Sequence, residues 1–92
     1  MKILILGAGK MGSFFADVLS FDHDVAVLDT DPQRLRFIYN TLRMTDPAEV
    51  ADFAPELVIN AATLKYTIAA FNNVLPYLPQ NCLLSDIASV NT

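Results

Sequence analysis

Apolar residues along this chain gather into short runs separated by polar and proline-bearing punctuation. Two runs are almost unbroken, Lys2 to Leu6 (KILIL) and Asp24 to Leu28 (DVAVL), as expected of strands covered on both faces. Between them Met11, Phe14, Phe15, Val18 and Leu19 recur at helical spacing and predict a helix that lays this stripe on a sheet. Residues 20–24 are polar apart from Phe21 and hold the single histidine, His23, which reads as a solvated turn residue.

The same alternation continues to the end of the chain. Asp31 before Pro32 is a helix-start signal, with Leu35, Ile38 and Tyr39 predicted inward. Residues 41–44 are placed as a short third strand. Asp46-Pro47-Ala48-Glu49 repeats the start signal, with an acid three residues after the cap, and opens a short helix to about Phe53. Pro55 punctuates, and residues 57–62 (LVINAA) read as a buried strand. Thr63 then caps a longer helix in which Leu64, Ile68, Phe71 and Leu75 share a face, closed by Pro76 and Pro79; residues 82–86 form a fifth strand. Five strands alternating with four helical segments predict an α/β doubly wound parallel sheet of order 3-2-1-4-5, with helices on both faces.

One stretch adds chemistry to this architecture. The first strand runs into Gly7-Ala8-Gly9-Lys10-Met11-Gly12, a G-x-G-x-x-G string, and the second strand ends in Asp29, 22 residues after Gly7. Gly7 serves the tight turn, Gly9 leaves room for the backbone to approach a pyrophosphate, and Gly12 lets the following helix pack closely. The first N–H groups of that helix, with the positive end of its dipole, then face the diphosphate. Asp29 stands where a carboxylate accepts hydrogen bonds from the adenosine ribose hydroxyls. A 2′-phosphate there would meet a like charge, so NAD is expected over NADP. Asp31 is explained by its capping role, and Arg34 would have to overcome Asp29 to hold a 2′-phosphate. Lys10 reads equally as a screen for the pyrophosphate and as an exposed lysine at a helix start. The G-K-[ST] ending of a nucleoside-triphosphatase loop is absent. Across the crevice, the backbone of Ala61 and Ala62 and the hydroxyl of Thr63 are candidates to contact the nicotinamide half, with helix capping an equal reading for Thr63.

Composition narrows the setting. Ninety-two residues, 53% of them hydrophobic, make one domain spanning 1–92, expected to be a piece of a longer two-domain enzyme because a doubly wound sheet usually has six strands. A net charge of −4 with no basic run argues against a nucleic-acid partner. No apolar stretch approaches the roughly 20 residues of a membrane span. No secretory leader is expected before the first strand, and the single cysteine, Cys82, fits a reducing cytoplasm and reads as a small core residue. No metal-ligand spacing is present.

Three segments together resemble a known family. The opening G-A-G-K-M-G, the strand at 57–62 followed by a helix and a Pro-rich turn, and the closing Ser85-Asp86-Ile87-Ala88-Ser89-Val90 look like the nucleotide-binding half of prephenate dehydrogenase. That family oxidatively decarboxylates prephenate to 4-hydroxyphenylpyruvate with NAD or NADP, in tyrosine biosynthesis. The resemblance implies that Ser89 approaches the substrate hydroxyl and nicotinamide and helps to orient a catalytic histidine. The family's lysine after S-V is Asn91 here, and the proline often following the threonine of strand four is Leu64. Its catalytic histidine and helical dimerisation domain come later in the family's sequence than this chain reaches, so the resemblance implies a homodimeric full-length enzyme and a fragment inactive alone. His23 is not that histidine. Two rival readings share the glycine string: another dehydrogenase or reductase, such as a pyrroline-carboxylate reductase relative, and a regulatory module that senses NAD(H) without chemistry.

Overall fold

A parallel sheet shielded on both sides needs strands apolar at every position, and the first two runs satisfy this. In β1 (Lys2–Leu6) and β2 (Asp24–Leu28) only the first residue is exposed and the next four are buried. With β3 (Leu42–Met44), β4 (Leu57–Asn60) and β5 (Leu83–Asp86) they form a five-stranded, all-parallel sheet of order β3-β2-β1-β4-β5 in the computed structural model, which describes residues 1–87. The predicted fold and strand order are both observed.

Alternation along the strands divides the interior in two. Ile3, Ile5, Val25, Val27 and Ile59 meet Ala16, Leu35 and Ile38 on one face, while Leu4, Leu6, Ala26, Leu28 and Val58 meet Val50, Phe53 and Val74 on the other. The first face is covered by α1 (Lys10–Leu19) and α2 (Pro32–Leu35), the second by α3 (Glu49–Phe53) and α4 (Thr67–Val74).

Helix faces differ from the expected ones by a rotation of the stripe. In α1 the buried residues are Gly12 and Ala16, with Phe15 and Leu19 packed beside them. Met11 and Val18 are exposed and Phe14 is 57% exposed, its ring edge-on to Phe15. Small residues win the contact because the glycine turn delivers the helix too close to β1 for a large side chain. In α4 the inward face is Thr67, Ala70, Phe71 and Val74, leaving Ile68 76% exposed. The cause is a later start: β4 stops at Asn60 rather than at residue 62, and a 3-10 turn, Leu64–Tyr66, precedes the helix. Leu75 falls outside α4, in a second 3-10 turn, Leu75–Tyr77, and is exposed.

Of the two start signals the first caps its helix as expected, whereas α3 begins later than the second predicts, with Ala48 at its N-cap and no side-chain capping bond. The Asp31 carboxylate accepts from the Gln33 N–H at 3.0 Å with Pro32 in the first helical position. Asp46 Oδ1 accepts from the Ala48 N–H at 3.0 Å in the turn before α3. Because α2 ends at Leu35, Ile38 is buried but Tyr39 is 64% exposed, against expectation, and Asn40 turns the chain with φ of 64°. Cys82 lies just before β5, half-buried against the second core face, and burial pushes its thiol pKa up.

Candidate functional site

The carboxyl ends of β1, β2 and β4 hold the site. Continued backbone pairing sets their relative positions: the Gly7 N–H donates to the Leu28 carbonyl at 2.8 Å, and the Ala61 N–H to the Leu6 carbonyl at 2.8 Å. Gly7 turns the chain out of β1 with φ of +94°, a conformation that a side chain resists. A Cβ on it would also stand 3.1 Å from both N and Cα of Ala62 and 3.2 Å from the Ala61 carbonyl carbon. Here the glycine loop touches the turn after β4.

The three glycines have different surroundings. A Cβ on Gly12 would sit 1.9 Å from the Gly7 carbonyl oxygen, whereas one on Gly9 would meet nothing within 4 Å. Gly9 has an ordinary negative φ of −74° and stands at the start of α1. Its missing side chain thus leaves open space beside the first N–H groups of a ten-residue helix, the place an anion occupies at a helix N-terminus. Ala8 is buried, while Lys10 and Met11 are exposed on this rim.

Asp29 is anchored on both oxygens. Oδ2 accepts from the Ala8 N–H at 2.9 Å, and Oδ1 accepts from the Asp31 N–H at 2.9 Å. The carboxylate therefore ties the glycine loop to the start of α2. An ionised carboxylate has about four lone-pair positions, so two remain for a ligand.

Between these elements lies a cleft of about 340 Å³, within the range of small-molecule sites. One wall is Gly7, Asp29, Thr30, Asp31 and Arg34; the other is Ala62, Thr63, Tyr66, Ala69 and Asn73. Leu6, Leu28 and Ala70 supply apolar floor. Gly7, Asp29, Ala62 and Thr63, singled out from sequence, are brought together here. Ala8 to Gly12 form the rim beside the cleft rather than its lining, and Ala61 faces the first core cluster. Thr63 engages α4 through its backbone: its carbonyl accepts from the Tyr66 N–H at 2.8 Å and from Thr67 Oγ1 at 3.1 Å. Ser89, the remaining candidate, lies outside the described residues.

Several lining residues were not indicated by sequence. Tyr66, Ala69 and Asn73 enter through the 3-10 turn that displaces α4, and Pro47 arrives from the loop after β3. No local pattern marks them. Asn60 offered one signal, a polar residue inside an apolar strand. It is wholly buried, donating through Nδ2 to the Thr67 carbonyl at 2.9 Å and accepting at Oδ1 from the Ala62 N–H at 3.1 Å.

His23 departs from its expected place in solvent. It is half-buried, and its Nδ1 has no hydrogen-bond partner among the described residues. It lines a shallow groove with Lys2, Asp24 and Thr41 at the amino ends of the strands, the opposite edge of the sheet from the cleft. No cluster of three His, Cys, Asp or Glu suited to a metal lies among the described residues, and none of their helices is long and apolar enough to cross a membrane.

No family model matches the chain. The Trk system potassium uptake protein TrkA of Halomonas elongata is 46% identical over 43 residues, which make up 46% of this chain and 9% of that protein. Among solved structures, the prephenate dehydrogenase of A. aeolicus, in complex with hydroxyphenyl propionate and NAD+, superposes with a TM-score of 0.81 at 24% identity, over 94% of this chain and 32% of that one. The arogenate dehydrogenase of Synechocystis superposes with a TM-score of 0.79 at 17% identity, over 97% of this chain and 33% of that one. The chain thus spans about a third of the length of these solved structures, with which it shares its fold.

Proposed function

We propose that this chain is the NAD(H)-binding domain of an oxidoreductase. The observation that carries the reading is the pairing of open space at Gly9, beside the N-terminus of α1, with the Asp29 carboxylate across the end of β2. A pyrophosphate fits the first and a ribose diol the second, and the cleft that runs from Asp29 to Tyr66 accommodates the adenosine between them. Ala62 and Thr63 stand toward the nicotinamide half, which supplies a hydride acceptor when bound. Two carboxylates, Asp29 and Asp31, against one guanidinium, Arg34, leave this end of the cleft net negative, which supports NAD over NADP. Titration calorimetry with NAD+, NADH and NADP+ tests the reading, and absence of heat with both NAD forms sinks it.

For the whole protein, the reading is a cytoplasmic, homodimeric enzyme acting on prephenate or a close relative. Its support is the G-A-G-K-M-G string with the closing D-x-x-S-V sequence, together with the fold shared with prephenate and arogenate dehydrogenases. The A. aeolicus protein is in complex with both hydroxyphenyl propionate and NAD+. A second reading, a nucleotide-sensing regulatory module, is favoured by the 46% identity over 43 residues to a potassium uptake system protein rather than to a dehydrogenase. NADH formation from prephenate or arogenate by the full-length protein supports the enzyme; its absence, with NADH binding intact, removes that reading and leaves the sensor or a different dehydrogenase.

A further inference from the structure

The turn between β4 and α4 is closed by side chains from its two ends. From the strand side, Asn60 holds the Ala62 N–H at 3.1 Å and the Thr67 carbonyl at 2.9 Å; from the helix side, the Thr67 hydroxyl donates to the Thr63 carbonyl at 3.1 Å. Both residues are buried, Asn60 completely. Burying an amide without partners is costly, so a polar residue at this depth holds its place only while both of its bonds are made. Those bonds define where Ala62 and Thr63 stand.

The position matters because the facing wall allows little movement. Ala62 backbone atoms lie 3.1 Å from where a Cβ on Gly7 would be, so the turn already touches the glycine loop. A shift of the turn inward closes on Gly7, and a shift outward moves Thr63 and Tyr66 away from Asp29 and widens the cleft. We infer that Asn60 and Thr67 are positioning residues for the cofactor: together they lock the β4–α4 turn at the separation from the glycine loop that a dinucleotide requires. This rests on the NAD(H)-binding reading, deepening it by assigning control of the cleft width to two side chains, neither of which lines the cleft.

The test combines NAD+ affinity with amide exchange. Asn60→Ser removes both bonds of the amide, Thr67→Val removes the hydroxyl while keeping the branched shape, and Thr67→Ser restores the hydroxyl. Calorimetry well below each melting temperature is expected to show NAD+ affinity reduced about tenfold in Asn60→Ser and Thr67→Val, the scale of one lost hydrogen bond, and unchanged within about twofold in Thr67→Ser. Variants that melt earlier yet bind NAD+ as the wild type does would reduce both residues to a stability role and overturn the inference. If Asn60→Ser does not fold, the Thr67 pair decides. Hydrogen exchange at the Ala62 amide of the free proteins distinguishes the lock from the cofactor reading. Faster exchange in Asn60→Ser or Thr67→Val supports a lock even where the wild type binds no NAD+, which overturns the cofactor role alone. Unchanged exchange in both variants overturns the lock itself.

Discussion

A Cβ on Gly12 would stand 1.9 Å from the carbonyl oxygen of Gly7, closer than any rotamer change can relieve, because both partners are backbone. Gly12→Ala is therefore expected to push α1 off β1 and destabilise the fold by about 3 kcal/mol or more. Gly9→Val, only three residues away, enters open space; its effect on unfolding should stay near 1 kcal/mol, the scale of a changed helix cap, while NAD+ binding is lost. Urea melts followed by circular dichroism read the first effect and calorimetry the second. Normal NAD+ binding by Gly9→Val would show that the glycine loop is only a turn.

Asp29 combines a structural and a proposed binding role, and Asn at this position separates them. Asn offers one acceptor oxygen, so either the Ala8 or the Asp31 N–H loses its partner, at about 1–2 kcal/mol of stability. Loss of the charge also removes the repulsion expected for a 2′-phosphate. The wild type should prefer NAD+ to NADP+ by at least about tenfold, and Asp29→Asn should narrow that ratio. Equal or tighter NADP+ binding by the wild type contradicts the assignment of Asp29 to the ribose.

The 92-residue chain is expected to bind NAD+ without oxidising prephenate. No histidine lines the cleft among the described residues, and His23 lies at the opposite edge of the sheet. Without a positioned proton acceptor, hydride transfer remains uncatalysed. Following NADH absorbance at saturating prephenate checks this, and robust turnover would place the catalytic groups within these residues.

Cys82 should be a slow thiol. Burial raises its pKa, so at a given pH less thiolate is present than in a free cysteine, and the thiolate is the nucleophile. Modification by a disulfide reagent at pH 8 is expected to be slower than for free cysteine, to accelerate over a higher pH range, and to become ordinary in urea. A native rate equal to the urea rate would mean the side chain is effectively in solvent.

What could be read in the residues follows how local the determining physics is. Unbroken apolar runs at β1 and β2, the glycine string and the Asp31-Pro32 start are sequence-neighbour effects, and their consequences appear where expected. The faces of α1 and α4 were displaced because periodicity detects a stripe of large apolar residues, whereas contact with the sheet selected Gly12, Ala16 and Thr67 for size and bonding. The glycine rim was marked by spacing alone. The far wall was not, since Tyr66, Ala69 and Asn73 reach the cleft only after Asn60 ends β4 early and a 3-10 turn resets the helix.

The two walls of the cleft lead into different layers. The segment from Asp29 to Arg34 continues into α2, on the face built around Ile3 and Val27, and the segment from Ala62 to Tyr66 continues into α4, on the face built around Leu4 and Val58. The two side-chain cores are separated by the sheet itself. A molecule held in the cleft therefore bridges the two layers, adding to the backbone ladders and to the contact between the β4–α4 turn and the glycine loop. By mass action such a ligand at a hundredfold excess over its dissociation constant adds about 2.7 kcal/mol to global unfolding. In a domain of this size that is a rise in melting temperature of roughly 10–20 °C, so occupancy of one narrow cleft governs how long the whole chain survives heat.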